Sequence, residues 1–114
     1  QAIQKYRSFL TDKNTMGVVG DFNNSVVWDK PSLLQTFQKA IEDFEAFGMS
    51  SAYHTFSSEK FGDETKATLF HTKKREKTYH IDYAFTRKSG SVEVGEYDDW
   101  IAYSDHMPLI VDFD

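Results

Sequence analysis

The stretch Thr78-Tyr79-His80-Ile81-Asp82-Tyr83-Ala84-Phe85-Thr86 decides the fold class. Apolar and polar residues alternate along it with a period of two, and aromatic and β-branched side chains are frequent, which marks a strand. Ile81, Tyr83 and Phe85 fall on one face. His80, Asp82 and Ala84 fall on the other. Upstream, Ala67 to His71 reads as a second strand, and Thr72-Lys73-Lys74-Arg75-Glu76-Lys77 as the charged tip of the hairpin that joins the two.

Outward from this hairpin, Ser91–Glu96 and Pro108–Phe113 read as strands. Ser51–Phe56 reads as another, followed by a polar loop over Ser57–Lys66. Ser32–Phe47 is the clearest helix: Ser32 and Gln35 form a capping box, and Gly48 is a stop. Leu34, Phe37, Ile41 and Phe44 make its apolar stripe, which is expected to pack in the core. Met16–Val19 predicts a short buried strand that ends in the polar loop Gly20-Asp21-Phe22-Asn23-Asn24. The first dozen residues, with Ile3, Tyr6 and Leu10 at helical spacing, read as the end of a helix broken by Asp12-Lys13-Asn14. Helices among several strands predict a mixed α/β (α+β) layer fold.

Composition bounds the chemistry. The 114 residues suit one domain, and 39% hydrophobic with 16% aromatic residues is enough for a packed interior. A net charge of -5 excludes a uniformly basic nucleic-acid sleeve, though not a local basic patch. The absence of cysteine excludes disulfides, thiolate metal sites and thiol nucleophiles. No apolar run approaches the roughly 20 residues of a membrane-spanning helix.

Three short segments place an acid in or beside apolar sequence: Gly20-Asp21-Phe22-Asn23, Ile81-Asp82-Tyr83 and Ser104-Asp105-His106-Met107-Pro108. Singly, each has a plain structural reading as a turn, a strand residue or a cap. Together they supply carboxylates, a carboxamide and an imidazole, each next to a strand. Carboxylates without thiols favour a hard cation such as Mg²⁺ or Mn²⁺. A histidine beside a carboxylate is held in one tautomer and kept cationic. That set suits attack of water on a phosphate ester.

At these residues the chain resembles the endonuclease/exonuclease/phosphatase family, which includes DNase I, exonuclease III-like AP endonucleases, neutral sphingomyelinases and deadenylases. The resemblance rests on GDFN, IDY and SDHMP in that order ahead of a final strand, and covers almost the whole chain. Thr78 to Tyr83 is also similar to a bacterial branch of the family. The resemblance implies a DNase I-like four-layer α/β sandwich, of which residues 1–114 would be the C-terminal part. It implies a divalent-metal-dependent phosphoesterase, with nucleic acid among the candidate substrates. It also implies roles. Asp21 would activate the attacking water, Asn23 would hydrogen-bond the scissile phosphate, and Asp82 would orient His106. His106 would donate to the phosphate, and Asp105 would help hold Mg²⁺ or Mn²⁺. Thr68 and Phe70 would lie near the substrate.

The family's metal-binding Glu has no counterpart, because only 19 residues precede Gly20 and Glu42, Glu45 and Glu59 lie downstream. The chain is therefore expected to be half a catalytic domain with little activity alone. The alternative is a non-catalytic binding module on the same scaffold, and self-association through exposed sheet edges is a third expectation. Inositol polyphosphate 5-phosphatases are disfavoured, since their Trp-Cys-Asp signature is absent. His71, Lys73, Lys74, Arg75 and Lys77 form the dense basic patch. It can touch a nucleic-acid backbone, and a solvated turn is the plainer reading. Trp100 and Tyr103 are expected to pack beneath the Ser104–Pro108 loop rather than to stack on a base.

Overall fold

The computed structural model describes residues 2–113; Gln1, which belongs to the expected first helix, and Asp114 lie outside it. Short helices α1 (Ala2–Lys5) and α2 (Arg7–Thr11) are broken at Tyr6 and lead to strand β1 (Gly17–Asp21). A 3-10 turn (Val26–Trp28) precedes helix α3 (Phe37–Ala46). Strand β2 (Ser50–Ser51) runs directly into helix α4 (Ala52–Ser57). Then come β3 (Leu69–Phe70), a 3-10 turn (His71–Lys73), β4 (Thr78–Tyr79), β5 (Asp82–Thr86), β6 (Val92–Val94), α5 (Tyr97–Trp100) and β7 (Leu109–Val111). The described residues form three small antiparallel sheets in the orders β1-β5-β2, β3-β4 and β6-β7. The class is mixed α+β.

β5 is the central strand. Opposite residues of an antiparallel pair share a face, so the register sorts the sheet into two surfaces. Val18 lies opposite Phe85 and Gly20 opposite Tyr83, and this face packs on α3. The cluster contains Leu10, Phe37, Ile41, Phe44, Met49, Tyr83 and Phe85, all buried. Phe44 stacks on Phe85 with ring centroids 4.4 Å apart, and Phe22 meets Phe37, Phe44 and Tyr83 edge-on. Such aromatic pairs each add about 0.5–1.5 kcal/mol beyond the area they bury. The other face carries Val19, Ala84, Asp21 and Asp82. Met107, Leu109, Val111 and Phe113 line a trough of about 430 Å³ against it. The fold is a slab of 40 × 40 × 24 Å.

Several expectations change. The helix begins at Phe37, not Ser32, and Leu34 is fully exposed instead of in the stripe. The cause is a long-range cap. Asp29 accepts hydrogen bonds from the Phe37 and Gln38 N–H groups (2.7 and 2.9 Å), and Thr36 Oγ1 accepts from the Lys39 N–H (3.1 Å). Three of the four orphan donors of the first turn are thereby satisfied, so the helix starts where Asp29 reaches it. Residues 51–56 are mostly helix rather than strand, because Ser51 caps α4 and Ala52, Tyr53 and His54 are buried in succession. β1 is an edge strand rather than a buried one. Val19 is 67% exposed, and Gly20 and Asp21 extend the strand into the expected loop. The stretch 78–86 divides between two sheets at His80-Ile81. The hairpin β3–β4 with its charged tip, and the strands within 91–96 and 108–113, form as expected. Among the described residues no helix is long and apolar enough to cross a membrane.

Candidate functional site

The register of β1 on β5 places Asp21 directly opposite Asp82. Like charges facing each other across a strand pair cost up to about 1 kcal/mol unless something lies between them. His106 does. Its Nδ1 is 2.9 Å from Asp82 Oδ2, and its Nε2 is 3.7 Å from Asp21 Oδ2. A carboxylate only accepts, so Nδ1 carries the proton donated to Asp82. Nε2 then faces Asp21 beyond hydrogen-bond reach, at a half-open mouth where His106 is 32% and Asp21 49% exposed. Asp21, Asp82 and His106 offer ligand atoms within 4.8 Å of one another.

The imidazole titrates above the ordinary histidine value. Partial burial, the largest single effect, pulls it down. The hydrogen bond and charge of Asp82, with the charges of Asp21 and Asp105, together overcome that pull. Asp82 thus favours the cationic form of His106, in which Nε2 would carry a proton at the mouth.

Local chemistry shapes each segment. Gly20 sits at φ 150°, a conformation that L side chains rarely adopt, just before Asp21. Phe22 turns inward to the aromatic core. Asn23 occupies the left-handed region at φ 49°, which Asn tolerates, and its N–H donates to Asp21 Oδ1 at 2.8 Å. This Asx turn engages one oxygen of Asp21 and leaves the other toward His106. The Asn23 side chain is exposed and makes no hydrogen bond among the described residues. The Tyr83 hydroxyl donates to the carbonyls of Asn24 (3.0 Å) and His80 (2.8 Å), tying this loop to the start of β5.

Thr68 holds the dyad together. It is fully buried, so the expectation that it meets substrate is corrected. Its hydroxyl accepts from the N–H groups of Ile81 (2.9 Å) and Asp82 (3.2 Å). Its carbonyl accepts from the Met107 N–H at 2.8 Å. One residue therefore anchors the segments carrying both Asp82 and His106. Leu69 bridges to His106, the Phe70 N–H donates to the Asp105 carbonyl at 2.8 Å, and Ser104 Oγ accepts from the His106 N–H at 2.9 Å. Replacing Thr68 by Val keeps the shape and removes the acceptor. The expected cost is about 1–3 kcal/mol for two unsatisfied buried donors. The His106 titration, followed by NMR without metal, should fall toward its ordinary value, and Thr68→Ser should restore it. An unchanged titration in Thr68→Val would remove Thr68 from this positioning role.

Asp105 does not join the three-residue cluster; it acts on His106 through charge, so its expected place as a metal ligand is not reproduced. Phe70 is half-buried, packs edge-on against Tyr97 at 4.6 Å and lines a separate cleft. Tyr103 is 82% exposed and Trp100 41%, so neither is covered by the loop as expected. Residues 101–103 are turns in which the Ile101, Tyr103 and Ser104 N–H groups bond back to the Tyr97 and Trp100 carbonyls, and the Tyr103 ring stays outside.

Sequence reading missed a buried network behind the site. Ser51 Oγ lies 2.6 Å from His54 Nδ1, and His54 Nε2 lies 2.7 Å from Glu64 Oε2. Burial works against the Glu64 carboxylate as the largest effect, but hydrogen bonds from His54 and Gly62 leave it below the ordinary range. Ser51 is 3% exposed, too enclosed to meet a substrate, so the network braces the 58–66 loop. Its one sequence signal is the Ser-x-x-His spacing of a capped helix.

No family model, curated protein or solved structure matches this chain.

Proposed function

We propose that the chain contributes the acid–base part of a hydrolytic site for phosphate esters. One observation carries this reading: His106, held by Asp82 at Nδ1, places Nε2 3.7 Å from the Asp21 carboxylate at an open mouth. A phosphoryl oxygen bound at Nε2 would receive a charge-assisted hydrogen bond as negative charge grows on it. Asp21, fixed by the Asn23 N–H and half-exposed, would accept a proton from the attacking water. The exposed Asn23 carboxamide would donate to a second phosphate oxygen. Asp82 and Thr68 position His106 without touching substrate. On this reading the chain is the C-terminal part of an endonuclease/exonuclease/phosphatase domain, with its four-layer sandwich.

The donor set fits a hard divalent ion in kind, because Asp21 and Asp82 provide carboxylate oxygens close together. Asp21, the more exposed of the two, would hold it. A cationic His106 is a hydrogen-bond donor rather than a ligand. When bound, Mg²⁺ or Mn²⁺ would neutralise charge on the phosphate.

The role of Asp82 has a direct test. In metal-free buffer, Asp82→Asn should lower the His106 titration from its raised wild-type position. A raised folded-state value means that the dyad's stabilisation is fully present below about pH 6.5. It is lost as pH rises through the folded value. The thermal midpoints of wild type and Asp82→Asn should therefore converge on the alkaline side. Identical His106 titrations in the two proteins would contradict the assignment. Binding of a phosphodiester by the complete gene product without hydrolysis would instead favour the non-catalytic module.

A further inference from the structure

The open edge of β1 is a surface that the site described above does not use. We infer that β1 pairs with β1 of a second copy of this chain, antiparallel and centred on Val19, so that two three-stranded sheets join into one of six strands. The inference is independent of the phosphoester reading.

Unused backbone groups are the first observation. β1 is the outer strand in the order β1-β5-β2. The Phe22 N–H donates to the Ile81 carbonyl at 2.9 Å, and the Arg87 N–H donates to the Met16 carbonyl at 3.0 Å. Bonded and non-bonded pairs alternate along an antiparallel ladder, so between these two bonds Val18 and Gly20 turn their backbone groups to β5. Gly17, Val19 and Asp21 turn theirs outward. Among the described residues no other backbone group bonds to the N–H or C=O of these three. The edge also lacks the usual guards of an open strand. It holds no Lys or Pro, it follows β5 without a bulge, and Val19 at its centre is 67% exposed.

Self-complementarity is the second, and it selects the partner. Outward residues must meet outward residues. With Val19 opposite its own copy, Gly17 falls opposite Asp21 at both ends, and each pair exchanges both of its hydrogen bonds. The one charged side chain of β1 then faces a residue with no side chain. Centring the pair on Asp21 would instead set like charges face to face. A shift of two residues either way leaves an end of each strand against Asn23 or Thr15, outside β1. Gly17 is itself required by the fold, because a Cβ there would lie 2.7 Å from the Phe85 carbonyl oxygen. A second copy therefore always brings the gap that Asp21 needs.

Placement is the third. Val19 and Asp21 lie on the face shared with Asp82 and Ala84. A two-fold axis through the Val19 pair keeps this face common to both copies, so both His106 mouths open on the same side. Four residues at about 3.4 Å each separate the two Asp21 positions by roughly 14 Å along the strands. The second copy would hold the Asp21 backbone beside its Asx turn and add no side chain to the mouth. Six backbone bonds and one valine pair fall well below the roughly 1,200 Å² of a stable interface, so the pair is weak, with a dissociation constant of about 0.1 mM. Each copy has a net charge of -5, so salt should strengthen the association.

The test is amide hydrogen exchange of the full chain, followed by NMR at about 50 μM and about 1 mM, with sedimentation velocity over the same range. Exchange at Gly17, Val19 and Asp21 should slow roughly threefold at the higher concentration, while Val18 and Gly20, already bonded to β5, should not change. The sedimenting mass should rise toward that of two copies. Val19→Lys, which sets two ammonium groups opposite each other, should abolish both effects. Val19→Thr should keep them. So should Ile110→Lys, the same charge change at an apolar residue of β7 that is 52% exposed. Circular dichroism and thermal midpoint report whether each variant is folded. Exchange at the three outward amides that is independent of concentration would overturn the inference: if fast, the edge is free, and if slow, another segment covers it. Association lost in Ile110→Lys but kept in Val19→Lys would overturn it as well.

Discussion

On the phosphoester reading proposed above, replacing His106 by alanine is expected to lower phosphodiester hydrolysis about 10²-fold or more, with the fold intact. The size follows from what the side chain would supply on that reading: one charged donor aimed at the position where phosphoryl charge develops. A donor of this kind is worth roughly 3–4 kcal/mol in a preorganised site. The loss should fall on kcat more than on KM, since the interaction strengthens in the transition state. His106 is partly exposed and outside the main aromatic cluster, so the thermal midpoint should change little. Removing the imidazole also leaves Asp21 and Asp82 facing each other without a cation, so metal affinity should not fall and can rise. Equal rates for wild type and His106→Ala, at saturating Mg²⁺ or Mn²⁺, would refute the assigned role.

The largest stability effect is expected at Arg87, far from the site. Its guanidinium donates to the carbonyls of Thr15 (2.8 Å), Leu10 (2.5 Å), Asp12 (3.3 Å) and Phe47. These are the C-terminal ends of α2 and α3 and the lead-in to β1, where carbonyls left without helical partners and the helix dipoles favour a cation. One side chain thereby closes three segments onto the end of β5. Gly48, at φ 84°, comes close enough that an added Cβ would lie 3.0 Å from the guanidinium. Hydrogen bonds to a charged group contribute roughly 1.5–3 kcal/mol each and do not add fully. Arg87→Ala should therefore cost about 3–5 kcal/mol, lowering the thermal midpoint by more than roughly 10 °C. Arg87→Lys should recover only part, since an ammonium cannot reproduce the planar fork. A shift under roughly 2 °C for Arg87→Ala would mean that the carbonyls are satisfied equally well by water.

Residue order singled out Asp21, Asp82 and His106, and the structure brings these three side chains together. Gly20-Asp21-Phe22-Asn23 was expected as a loop, yet Gly20 and Asp21 end β1, and the chain turns only at Asn23, whose N–H donates to Asp21 Oδ1. The Asp82–His106 contact was expected from the family resemblance, and the two residues do meet. Thr68 was assigned to the substrate because sequence order carries no burial. In the structure its hydroxyl is spent on backbone donors 13 and 14 residues away. The helix start was misplaced for a related reason. Ser32 and Gln35 form a valid local box, but Asp29 caps from outside the window that local rules inspect. Tyr103 was expected inside because it is aromatic, yet a short turn faces it to solvent.

The sequence by itself determined the chemistry at hand: carboxylates, one carboxamide and imidazoles beside strands, no thiol, one basic segment, and enough aromatic surface for a mixed α+β core. Those properties belong to single residues or to neighbours along the chain, so composition and periodicity reveal them. Only the tertiary structure decided which groups act together. The register of β1 on β5 set Asp21 against Asp82, and the bridge from β3 brought His106 between them. A slip of one residue would have turned these side chains to the opposite face of the sheet. That register is held by burial of Val18, Tyr83 and Phe85 against α3, a sum of contacts between distant segments that local sequence rules do not encode.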